Sequence, residues 1–281
     1  MKFVKILFIS TIVVFFFCTN NPLFEDKEIK GNAIKGKISL EDRQSAENVF
    51  VWLEGVNVST FTAGNGDFHL DLPSSAGSAG GITGQYNLYF YVNNYQLKSA
   101  SVVFANGNLQ LSQGDLNKNG ELSKTVQLLK ILDIDVHVTP ENISANFNGS
   151  LDITVTLTAY PDSVLIVTKS HNGADVSAVF IHESGHKENA QLFDTGGTIF
   201  TRIPVYKEYQ VPGFKRQFVA TIPFNSSEYS AGDYEIVPYL MVTPNDVPAG
   251  LLRNFTRDYK EPSVEFLNIP VVRTGGKITV P

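Results

Sequence analysis

VFVWLEGVNVSTFTAGNGDFHLDLP, residues Val49 to Pro73, is the stretch whose reading decides the fold. Val49, Val51 and Leu53 alternate with Phe50, Trp52 and Glu54, and Phe68, Leu70 and Leu72 alternate with His69 and Asp71. A period of two is what a pleated strand imposes on residues that share a face. Between the two runs, Asn65-Gly66 supplies the positive φ that a tight hairpin turn needs. The stretch therefore predicts two short strands joined through a tight turn.

The same grammar extends over the rest of the chain. The Tyr-rich run YNLYFYVNNY, Tyr86 to Tyr95, alternates Tyr86, Leu88, Phe90 and Val92 with Asn87, Tyr89, Tyr91 and Asn93. From about Ile131 a second series follows: ILDIDVHV, LDITVTLTA, SVLIVTK, VSAVFIHE, AQLFD, TIFTRIPV, QFVATIPF, DYEIVPYLMV and VEFLNIPVV. Short β-branched and aromatic runs, separated by Pro, Gly, Asn and Asp, predict an all-β sandwich. ELSKTVQLLKIL alone has some helical spacing, and its Val126, Leu128 and Ile131 fit a strand as well. With 281 residues the chain is long enough for two ordinary domains. The expected architecture is all-β, two β-sandwich domains over residues 31–130 and 131–281. Their junction near residues 128–133 is apolar instead of linker-like, which implies a shared interface.

Several residues of the first half carry a family likeness. Gly36 to Ile38 opens it, the Val-x-Val-x-Leu run follows, then Thr62, the Asn-Gly-Asp-Phe turn, and Leu-x-Leu-Pro ending at Pro73. In this order they resemble the carboxypeptidase regulatory-like domain, a transthyretin-like sandwich, over roughly residues 31–130. Ser74 to Gln85, SSAGSAGGITGQ, departs from that pattern as a Gly/Ser-rich insertion and reads as a mobile loop. The resemblance implies an accessory module and not an activity. The second half is expected to be immunoglobulin-like.

The N-terminus, MKFVKILFISTIVVFFFCTNNP, has a basic start at Lys2 and Lys5, an apolar run from Ile6 to Phe17, and a polar sequel. This is the layout of an export signal. The run is short for a bilayer whose hydrocarbon core is roughly 30 Å thick. Cys18, the single cysteine, stands where the run ends and resembles the acylated cysteine of a bacterial lipoprotein signal. The expectation is thus a signal over 1–18, a tether over 19–30, and an envelope lipoprotein held at the outer membrane through an N-terminal lipid on Cys18. One cysteine allows no internal disulfide. The net charge of −6 falls to −8 when Lys2 and Lys5 leave with the signal, which argues against nucleic acid as a partner.

Candidate chemistry is sparse. His182-Glu183-Ser184-Gly185-His186 matches the H-E-x-x-H pattern, whose mechanism needs one helix to aim both imidazoles at a zinc ion while the glutamate activates water. Val176, Val179, Phe180 and Ile181 favour a strand before it, and Ser184-Gly185 is costly inside a helix. The pattern therefore reads as a hairpin turn, with a zinc metallohydrolase as the alternative. Asp115, Asn117 and Asn119, followed by Gly120 and Glu121, stand at calcium-loop offsets, but Val126 holds the place of the closing carboxylate. Asp194-Thr195-Gly196 looks like an aspartic-protease triplet without the second triplet such chemistry requires. The remaining candidate is the polar face of the Tyr-rich strand, Asn87, Tyr89, Tyr91 and Asn93, on which aromatic rings flanked by amides suit a carbohydrate, a peptide or an envelope protein. No catalytic residue and no cofactor are expected, and the function read from sequence is a non-enzymatic binding or structural accessory.

Overall fold

The computed structural model describes residues 33–43, 45–73, 82–170, 175–194, 205–243, 246–258 and 260–281. Within them the chain is all-β, and its single α-helix, α1, has four residues (Ala249–Leu252). The signal, Cys18, the tether and most of the Gly/Ser-rich insertion lie outside the described residues.

The first eight strands make two sheets. β1 (Ala33–Leu40) sits between β4 (Asp67–Asp71) and β8 (Val126–Leu128), antiparallel to the first and parallel to the second. β2 (Phe50–Leu53), β3 (Val58–Phe61), β5 (Gly84–Tyr91), β6 (Lys98–Ala105) and β7 (Asn108–Leu109) form the other, in the order β3-β2-β5-β6-β7. Ile34, Ile38, Val51, Leu53, Phe68, Leu70, Leu88, Phe90 and Val102 fill the space between them. Val51, Leu53, Phe68 and Leu70 among them are inward residues of the two alternating runs. ELSKTVQLLKIL resolves as strand β8.

Two local devices fix this module. Gly66 has φ +83°, and a Cβ there would stand 2.1 Å from the Ile38 carbonyl oxygen, so only glycine fits while Ile38 N–H bonds the Gly66 carbonyl at 2.9 Å. Thr62 Oγ1 accepts from Val49 N–H at 2.9 Å and donates to the Ala46 carbonyl, continuing the β2–β3 pairing beyond the strands.

The later strands form three sheets. β9 (Leu132–Thr139), β10 (Asn148–Ala159), β15 (Arg216–Asn225) and β18 (Thr274–Gly275) run in the order β15-β10-β9-β18. β12 (Ala178–Glu183), β13 (Gln191–Asp194), β16 (Gly232–Pro238) and β19 (Lys277–Val280) run β13-β12-β16-β19. β11 (Val164–Ser170), β14 (Val205–Val211) and β17 (Leu240–Val242) complete the set as β14-β11-β17. Their core is built from residues such as Ile134, Val136, Ile153, Val155, Phe218, Ile222, Ile181 and Ile236.

VEFLNIPVV departs from the expected strand. Val264–Asn268 is a 3-10 helix, and the following residues run extended between the modules. Its apolar residues are not alternating for a sheet face: Phe266, Leu267 and Ile269 all turn into a third apolar cluster. TIFTRIPV falls mostly outside the described residues, and the strand found there, β14, begins at Val205.

That third cluster joins the two halves. Phe50, Trp52 and Tyr91 from the first module meet Phe180, Tyr239, Met241, Leu251, Phe255, Phe266 and Leu267 of the second. Phe255 stands edge-on to Phe50 at 4.5 Å between ring centroids and 6.2 Å from Tyr91. Consequently β2 is buried on both faces, and the Phe50/Trp52 set of its alternation is as deep as the Val51/Leu53 set. Burying each such side chain contributes about 1.5–3 kcal/mol.

Candidate functional site

The strand that carries the Tyr-rich face runs under this interface, which corrects the expectation of an open face. Tyr91 is 1% and Asn93 2% exposed, because the second module covers them. Burial pushes the Tyr91 hydroxyl well above its ordinary range. Asn93 ties its amide to both modules: Oδ1 accepts from Val242 N–H at 3.1 Å, and Nδ2 donates to the Val242 carbonyl at 3.2 Å and to the Tyr91 hydroxyl of its own module at 2.9 Å. The side chain thereby acts as one more rung beside β17. Asn94, fully buried, does the same at the junction, with Nδ2 bonding the Leu132 and Val272 carbonyls and Oδ1 accepting from Val272 N–H. Asn87 and Tyr89 remain half-buried at the margin, joined by a 3.2 Å hydrogen bond, with Tyr89 stacked on Trp52.

His182, Glu183 and His186 diverge. His182 and Glu183 end strand β12, where successive side chains point to opposite faces. Ser184 and Gly185, the latter at φ +89°, turn the chain, and His186 precedes a 3-10 helix at Lys187–Asn189 before β13 returns antiparallel to β12. His182 is buried and its Nδ1 donates to the Glu183 carbonyl at 2.8 Å, whereas His186 is exposed beside Glu188. The side chains of Asp115 and Asn117 likewise serve the backbone, and Asn119 takes part through its N–H. Asp115 accepts from Ser101 N–H at 2.6 Å, Asn117 Oδ1 accepts from the N–H groups of Asn119 and Glu121, and the loop pairs with β1 through Lys35 and Gly120. Asp194 pairs with Lys169, while Thr195 and Gly196 lie outside the described residues. Among the described residues no group of three or more His, Cys, Asp or Glu is placed to hold a metal ion.

What the fold does build is a cleft of about 800 Å³ beside the apolar interface, with walls from both modules. One wall is an aromatic ledge. Phe61, 46% exposed at the end of β3, leans on Phe50 at 5.2 Å, and Phe50 in turn touches Phe255. Another part of the lining is charged. Glu235 on β16 pairs in register with His182, and its Oε2 lies 3.2 Å from Arg273 Nη2 and 3.9 Å from His182 Nε2. That His182 nitrogen is buried and makes no hydrogen bond among the described residues. Lys187 reaches in from the hairpin turn and donates to the Leu267 carbonyl at 3.3 Å. Burial first, and then the neighbouring Arg273 charge, hold the Lys187 ammonium below the ordinary lysine range, with Glu235 opposing. Burial likewise lowers Arg273 against the pull of Glu235. Arg43 and Lys277 add two more cations to the lining, against one more carboxylate, Glu47.

The pattern that could have revealed this site was scattered. Phe61, Lys187, Glu235 and Arg273 lie in separate segments, and only the packing of the C-terminal residues between the modules brings them to one cleft.

No protein-family model matches the chain, and no curated protein matches it either. Among solved structures, the Bacillus anthracis TIE protein aligns with 74% of this chain and 45% of that chain, at 9% sequence identity and a TM-score of 0.24. The aligned part is thus less than half of that protein's length, and a likeness at this level carries no argument about fold or activity.

Proposed function

We propose that this protein is a lipid-anchored accessory of the bacterial cell envelope, held at the outer membrane through Cys18, and that it binds its ligand in the cleft between its two β modules without transforming it. The carrying observation is the cleft itself, which combines an exposed aromatic ledge with a partly desolvated set of cations, features common in small-ligand sites. Lys187 and Arg273 reduce stability where they stand, since burial opposes their charge, and such a cost is typical of binding sites. The transthyretin-like and immunoglobulin-like identities of the two modules belong to the same proposal. Carbohydrate, peptide and envelope protein are the ligand classes that suit it.

Two experiments test this. Full chain expressed with an alkyne fatty acid should incorporate the label, and Cys18→Ser should abolish it; label retained in the variant refutes the anchor. The detergent-purified chain should bind members of a saccharide and peptide panel, and Phe61→Ala, an exposed position, should weaken that binding. Ligands bound equally well by this variant would place the site elsewhere.

A further inference from the structure

We infer that the inter-module cleft takes an acidic saccharide, a sugar ring carrying a carboxylate, with the ring on the Phe61 ledge and the carboxylate at Lys187 and Arg273. This rests on the reading of the cleft as the ligand site and adds the class of ligand.

The charge balance points to an anion. Four cations line the cleft, Arg43, Lys187, Arg273 and Lys277, against Glu47 and Glu235. Glu235 is engaged by Arg273 and lies against His182, so it is already committed inside the wall. Among the described residues the hydrogen bond of Lys187 goes to the Leu267 carbonyl, at 3.3 Å, a neutral partner for a desolvated ammonium. This local excess of positive charge stands in a chain whose overall charge is −6, so it is a property of the site and not of the surface at large. An incoming carboxylate would replace the hydration that burial has removed from Lys187, and a charge-assisted hydrogen bond is stronger than a neutral one.

The body of the ligand follows from the other wall. The exposed Phe61 ring, backed by Phe50, offers a flat apolar surface of the kind on which the C–H face of a sugar packs. Ser45, Asn48, Ser59 and Asn254 line the same cleft with groups able to bond hydroxyls. An extended acidic peptide would satisfy the cations and leave this ledge unused.

The test is isothermal titration of the detergent-purified full chain at low salt with three probes. They are a galacturonate tetramer, the same tetramer fully methyl-esterified, and tetraglutamate. We expect the free acid to bind, the ester to bind at least about tenfold more weakly, and Lys187→Gln to weaken the free acid by about tenfold, the size of one charged hydrogen bond. Phe61→Ala should weaken the free acid by about fivefold. Equal binding of acid and ester, sensitive to Phe61→Ala, would overturn the acidic class while leaving the cleft as the ligand site. Tetraglutamate binding as tightly as the free acid, with no effect of Phe61→Ala, would overturn the saccharide. Absence of binding by all three probes would overturn the inference, and the wider panel then tests the cleft separately.

Discussion

Asn94→Ala should separate the two modules energetically, because one amide ties three points of the junction together. Its Nδ2 donates to the Leu132 carbonyl at 2.9 Å and the Val272 carbonyl at 2.7 Å, and its Oδ1 accepts from Val272 N–H at 2.9 Å. Asn94 is fully buried, so alanine leaves these backbone groups without that partner and brings no replacement. A buried polar group left unpaired costs about 1–3 kcal/mol, and such losses within one network are not additive. A total of about 3–5 kcal/mol follows, out of the ~5–15 kcal/mol that holds a typical fold. Trp52 makes the assay direct. It is the single tryptophan, 4% exposed within the interface, so its fluorescence reports the junction while far-ultraviolet circular dichroism reports all strands. In urea the two signals should change together in the parent protein, and in Asn94→Ala the fluorescence should change first. Asn94→Asp keeps the shape but cannot donate when ionised, so at neutral pH it should cost at least as much as alanine. Burial raises the pKa of such a carboxyl, so part of that loss should return as pH falls and the acid becomes a donor. Coincident signals, with a loss below about 1 kcal/mol in Asn94→Ala, would refute the reasoning.

Other outcomes follow from features already described. Gly66→Ala should destabilise by more than about 1 kcal/mol, since it combines positive φ with a clash on Ile38, and an unchanged melting temperature would contradict the turn geometry. Asp42 is held below the usual carboxylate range; burial opposes this, but hydrogen bonds from Lys130 and Tyr95 outweigh it. Its contribution is therefore present above the unfolded value and lost as pH falls through the lower folded one, so Asp42→Asn should flatten the acid limb of a pH–stability profile below about pH 4. Binding of the galacturonate tetramer should weaken as pH rises through the depressed Lys187 value, because the bound state requires the protonated amine. Arg273, Glu235 and His182 face the same wall, and a profile unchanged in Lys187→Gln would exclude this lysine as the cause. Elemental analysis of the purified chain should find no stoichiometric zinc, and zinc that disappears in His186→Ala would restore the metallohydrolase alternative.

The period-two runs made the strands of both halves legible, because a half-buried strand writes its burial directly into alternation. β10 shows this well, with Leu151, Ile153, Val155 and Leu157 buried in turn. Where a strand is covered on both faces the message is different. Phe50 and Trp52 read as the outer set of β2, and nothing local says that Phe255 and Leu251, about two hundred positions later, will cover them. Tyr91 and Asn93 carry the same ambiguity, since a polar amide that pairs with a distant backbone resembles, in sequence, one that faces solvent. The 3-10 helix at Val264–Asn268 was also hidden, as its apolar residues serve an interface and not a sheet period. The cleft was illegible because no segment contains more than a small part of its lining.

The order of synthesis gives the inter-module seam one more meaning. The groups that seal it come from the end of the chain: α1, Phe255, the 3-10 helix, Pro270, which accepts from Asn93 N–H at 2.7 Å, and Val272 against Asn94. Until those residues emerge, the first module carries Phe50, Trp52 and Tyr91 as an incompletely covered aromatic surface. A nascent or truncated chain therefore presents a sticky sheet face to its neighbours. These closing residues work as a clasp over a face that the earlier part of the sequence leaves apolar.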